Sequence, residues 1–128
     1  MKKFLLLVLL MFSMGMSAQQ FVNYYYWGLM TKNGVKSEWF TTNVKAYYNY
    51  GNDTTKMYFD VNGSPFKMTQ VGVTTKETTT NGLTYQKLNM LDDDTGESAT
   101  VNLYDDVRYG VMIIFNEEGP GNSLQFAP

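Results

Sequence analysis

The clearest alternation of apolar and polar positions lies between Val44 and Met68. With a tight loop at Gly51-Asn52-Asp53-Thr54, the flanks fold back so that Val44 faces Val61, Ala46 faces Phe59 and Tyr48 faces Met57. The intervening positions set Lys45 opposite Asp60, Tyr47 opposite Tyr58 and Asn49 opposite Lys56. Side chains alternate across a strand, so this one register yields an apolar face, an ion pair and an aromatic pair together. Asn62-Gly63 follows, the pair best suited to the two positive φ angles of a type I′ turn. It sets Phe66 against Phe59 and Met68 against Met57, which predicts a three-stranded meander with one apolar face.

The rest of the chain is read in the same way. Phe21 to Met30 is a first strand, Lys32 to Val35 a turn, and Ser37 to Thr42 a short second strand with Trp39 and Phe40. The meander strands are Val44 to Tyr50, Thr55 to Val61 and Ser64 to Met68. Parity changes between Met68 and Val71, which predicts a β-bulge near Gln70 to Gly72. A two-residue hairpin at Asn81-Gly82 would put Val73 opposite Met90 and Thr75 opposite Leu88. It would also oppose Lys76 and Lys87, so the hairpin is clearer than its register. Leu83 to Leu91, Ser98 to Tyr104 and Tyr109 to Asn116 complete the series. In these, Met90 faces Ala99, Leu88 faces Val101, Leu103 faces Val111, Val101 faces Ile113 and Ala99 faces Phe115. Leu124 and Phe126 offer a last short strand.

No stretch after residue 18 has a helical period. Turns recur at roughly 8–12-residue spacing, as in antiparallel sandwiches and barrels. Consecutive hairpins favour a meander, and about eight strands are enough to close a small barrel. The expectation is therefore an all-β fold, an antiparallel meander forming a small or partly open β-barrel, with a two-sheet β-sandwich as the alternative. Residues lining such a barrel are Val44, Ala46, Tyr48, Met57, Phe59, Met68, Leu88, Val101, Ile113 and Phe115.

The N-terminus stands apart from this pattern. Lys2 and Lys3 precede an unbroken apolar run from Phe4 to Phe12, then small residues at Ser13, Gly15, Ser17 and Ala18. The run is too short to cross a bilayer and well sized for a secretory signal. Residues 1–18 are thus expected to be a signal peptide cleaved after Ala18, with cleavage after Gly15 or Ser17 as alternatives. Residues 19–128 then form a single secreted or periplasmic domain. No cysteine is present for lipid attachment, and no later apolar run suits a membrane helix.

Composition narrows the function more than it defines it. Without Lys2 and Lys3, eight basic residues face twelve acids, a net charge of −4 that disfavours nucleic acid. Cys and His are absent, which removes Ser-His and Cys-His nucleophiles and the common zinc sites. The carboxylate pairs Asp105-Asp106 and Glu117-Glu118 read as surface charge, and no activated nucleophile or base accompanies them. The acidic loop Asp92 to Glu97 resembles a Ca²⁺ loop only superficially. Position twelve of an EF-hand beginning at Asp92 is Leu103, and no flanking helices are predicted. No catalytic residue, metal site or cofactor is assigned.

The surplus is aromatic: ten Tyr, eight Phe and two Trp. Several fall on the face opposite the expected core, where rings stack on sugars or partner side chains. Trp27, Trp39, Tyr47 and Tyr58 are the candidate ligand-binding residues. The leading expectation is a non-enzymatic β domain binding a glycan or protein partner through these aromatics. The alternative is a carrier of a small apolar ligand in the barrel interior.

Three features together resemble uncharacterised small secreted all-β proteins of Gram-negative bacteria. They are the Lys-Lys signal ending Ser17-Ala18-Gln19-Gln20, the Trp-bearing first hairpin, and the Asp93 to Gly96 turn before an alternating strand. In size and meander the chain is also loosely similar to lipocalins and other calycins. It departs from them at the start, with Trp27-Gly28 in place of Gly-x-Trp, and it lacks the cysteines for their disulfides. That resemblance implies a ligand-holding barrel but carries no binding residue over to this chain.

Overall fold

The structure, a computed structural model, describes residues 19–119 and 121–128; the expected signal segment lies outside the described residues. The strands in chain order are β1 (Phe21–Lys32), β2 (Val35–Lys36), β3 (Phe40–Tyr48), β4 (Lys56–Val61) and β5 (Ser64–Gln70). They continue with β6 (Thr75–Thr78), β7 (Thr84–Asp92), β8 (Ser98–Tyr104), β9 (Val111–Phe115) and β10 (Ser123–Ala127). All but β2 and β6 close into an antiparallel barrel in the order β1-β3-β4-β5-β7-β8-β9-β10. The ring is completed by β10 against β1, from Trp27 opposite Ala127 to Thr31 opposite Ser123. The meander is thus a closed barrel, neither partly open nor a sandwich.

The register around β4 follows from side-chain alternation. Val44 lies opposite Val61, Ala46 opposite Phe59 and Tyr48 opposite Met57, with Phe59 opposite Phe66 on the other side. Asn62 and Gly63 have φ of 52° and 89°, the two positive angles that a type I′ turn needs. The pairings of β7, β8 and β9 likewise match the alternation of Leu88, Met90, Ala99, Val101, Val111 and Ile113.

Inward positions from all eight strands form one core. Val44, Ala46, Phe59, Met68, Val101 and Val111 have no exposed surface. Phe59 sits among Tyr48, Phe66 and Phe126, at ring distances of 6.1, 6.5 and 6.5 Å. Eight strands enclose just enough space for side chains, so the middle of the barrel is filled. Of the expected lining, only Phe115 is more than marginally exposed. Lys45, Lys56, Asp60 and Lys67 occupy the alternate, outward positions. No helix among the described residues is long and apolar enough to cross a membrane.

Four local expectations are corrected. Ser37 to Thr42 is not a separate strand. Ser37 bonds back to Met30 through both its backbone N–H and its Oγ, which ends the short β2. The next strand then begins at Phe40 and absorbs the expected third one. It stops at Tyr48, because Asn49 turns to a φ of 54°; the connection to β4 is therefore longer than the expected Gly51–Thr54 loop. Near Gln70 the chain does not bulge within one strand. It leaves the sheet after Gln70 and returns as β6, and both pieces pair with β7. The Asn81-Gly82 hairpin is wider than two residues, since Thr79 N–H bonds to the Leu83 carbonyl. Thr75 consequently faces Lys87, one place from the expected register, and Met90 faces Gln70 while Val73 lies exposed. The slip removes the Lys76–Lys87 clash and lets Lys76 pair with Asp105 at 2.7 Å. A register irregularity occurs instead between β1 and β3, at Tyr25 to Trp27.

Candidate functional site

Where β1 starts and β3 and β8 finish, the core gives way to a pocket of about 370 Å³. Tyr25, an inward residue of β1 opposite Val44, and Tyr48, the last residue of β3, face it with their hydroxyls 2.8 Å apart. Only 6% and 4% of these two residues is exposed. Phe21 packs on the Tyr48 ring at 5.2 Å, and Leu103 and Tyr104 supply the facing wall from β8. Val107, three-quarters exposed, stands at the rim.

Each tyrosine hydroxyl has one proton to donate and two lone pairs. One proton is used between Tyr25 and Tyr48, so the pair retains a donor and further acceptor capacity. Burial holds the Tyr48 hydroxyl well above its ordinary pKa of 10.0, and the charge and hydrogen bond of Tyr25 add to the rise. Burial likewise raises Tyr104, with Tyr85 contributing. Both groups are therefore neutral phenols at physiological pH.

The loop closing this end is built tightly. Asp106 accepts from Arg108 N–H at 3.1 Å and from its guanidinium at 3.0 and 2.7 Å, which holds the carboxyl below its ordinary value. The Arg108 charge is thereby engaged outside the pocket, and none of the lining side chains is charged. Gly110 closes the turn at a φ of 64°, where a Cβ would fall 1.8 Å from the Phe126 carbonyl oxygen. At the opposite end, a dent of about 180 Å³ lies between Phe66, Phe115 and Leu124 and contains no tyrosine.

The four aromatic residues singled out by the sequence do not form one site. Tyr47 and Tyr58 are stacked on the outer face of β3 and β4, with centroids 5.1 Å apart. Tyr50 meets both edge-on at 6.0 and 5.0 Å, and Lys67 lies 5.5 Å over Tyr58. The ring faces therefore already have partners within the chain. Trp27 lies outward on β1 between Thr41 and Ala127, and Trp39 precedes β3. From Phe40 to Tyr47 is seven residues along one strand, roughly 23 Å at the usual rise. The acidic loop is internally satisfied too: Asp92 accepts from the N–H groups of Asp94 and Thr95, and Asp93 from Thr69.

Sequence reasoning placed Tyr48 in the barrel but missed its partner. Tyr25 sits within Tyr24-Tyr25-Tyr26-Trp27, where four consecutive aromatics conceal which one points inward. No family model matches this chain, and no curated protein or solved structure matches it at a significant level.

Proposed function

We propose that this protein is a non-enzymatic binding domain that takes a small apolar molecule into the Tyr25–Tyr48 end of its barrel. The observation that carries this reading is an apolar pocket with two buried hydroxyls converging in it. Ligand sites are typically concavities of ~300–1,000 Å³, mostly apolar, with a few placed polar groups. This pocket falls at the small end of that range. The packed middle of the barrel moves the ligand from the interior to the mouth. If the expected signal segment acts as one, the domain works in the periplasm or outside the cell.

Asn23 is exposed at the mouth, and a large ring there would fill the opening. Wild type should bind Nile red at one saturable site, with a blue-shifted emission that Asn23→Trp abolishes at unchanged melting temperature. Binding that survives Asn23→Trp undiminished would place the site elsewhere.

A second reading rests on the outer face of β1. Tyr24, Tyr26 and Trp27 are 50%, 54% and 44% exposed in close succession. Such a strip suits a glycan or a protein partner. If this reading holds, Trp27→Ala would weaken binding to an oligosaccharide array and leave Nile red binding intact.

A further inference from the structure

The pocket's chemistry says what kind of molecule it accepts. Resting on the binding function proposed above, we infer that its ligand carries no negative charge, with a compact ring-bearing body and a single carbonyl or hydroxyl oxygen seated on the Tyr25–Tyr48 pair.

Three observations support this class. The first is the hydroxyl pair, joined at 2.8 Å and almost wholly buried. It leaves one O–H without a partner among the described residues. A buried donor gains most from an acceptor oxygen, and a pure hydrocarbon would leave it unsatisfied. The second is the absence of charge on the lining side chains. The nearest loop cation, Arg108, is engaged by both Asp106 oxygens and lies over Tyr109, at 5.9 Å from the ring centroid. A carboxylate entering here would lose its hydration without gaining a counter-ion, which disfavours it. The elevated Tyr48 pKa reports the same resistance to negative charge. The third is the wall. Phe21, Leu103 and Tyr104 present flat and branched apolar surfaces suited to a ring body.

The test is a matched series on one bicyclic body: tetralone, tetralin, tetralin carboxylate and aminotetralin. Each is titrated into the protein at neutral pH, with affinity read by calorimetry and the site by tyrosine-ring NMR. Tetralone should bind several-fold to about tenfold more tightly than tetralin, the range expected for one added hydrogen bond. The carboxylate should bind more weakly than tetralin, and the amine less tightly than tetralone. The double variant Tyr25→Phe/Tyr48→Phe, which removes both donors, should abolish the preference for tetralone while tetralin binding persists. Tightest binding by the carboxylate or the amine would overturn the inference and leave the pocket as a ligand site. Equal affinity for tetralone and tetralin would do the same. If no member of the series shifts the Tyr25 or Tyr48 signals, the inference fails together with the binding function.

Discussion

Gly110 is the residue with the least freedom to change. Its φ of 64° disfavours any side chain, and a Cβ would strike the backbone of β10 rather than a movable side chain. Gly110→Ala should cost about 2–4 kcal/mol or prevent folding, measured by urea denaturation. Gly34→Ala is the control: its φ is 80° but open space surrounds it, so its cost should be about 1 kcal/mol. Tyr48 makes a different prediction, in pH. The unfolded chain releases this proton near pH 10.0, while burial keeps it on the folded chain to higher pH. Its contribution is therefore complete below pH 10 and is lost as pH rises through the folded value. Tyr48→Phe should cost about 1 kcal/mol at neutral pH. Between pH 10 and 11.5 its melting temperature should fall less steeply than that of wild type. Parallel curves would show that this hydroxyl does not titrate with unfolding.

On the scale of strands, the Tyr47–Tyr58 stack on β3 and β4 tests whether outward aromatics pack or bind. The rings lie nearly parallel, at 15°, with Tyr50 and Lys67 against them. A double-mutant cycle with Tyr47→Ser and Tyr58→Ser should give a coupling of ~0.5–1.5 kcal/mol in stability. Zero coupling would mean that the stack holds nothing together. This pair was legible in the sequence, because alternation around a short loop and an Asn-Gly turn leaves a single register open. The insert between β5 and β7 was not. Its Thr-rich run is exposed from Val71 to Thr78, so no buried face fixes the register there. The choice fell to the wider Thr79–Leu83 loop and to Lys76 reaching Asp105, a contact between segments distant in sequence.

At the scale of the whole molecule, closure of the ring makes the candidate site. β10, five residues long, pairs β1 on one side and β9 on the other, and Phe126 from it completes the core. Local alternation does not disclose that pairing of first and last strands. Nor does it disclose that inward positions near the barrel's end line a pocket while those at mid-height pack solid. The sequence thus pointed to outward aromatics as the site, and the pocket became visible only once Phe21, Tyr48 and Tyr104 were brought together from three strands. The central claim is that a ligand enters this end of the barrel. Its most direct test is a titration of protein carrying ¹³C-labelled tyrosine rings, with tetralone as the probe. The account predicts saturable shifts of the Tyr25, Tyr48 and Tyr104 signals, with Tyr26, Tyr47 and Tyr58 unmoved. Shifts confined to Tyr26, or to the Tyr47–Tyr58 stack, would contradict it and place the binding surface on the outside of the barrel.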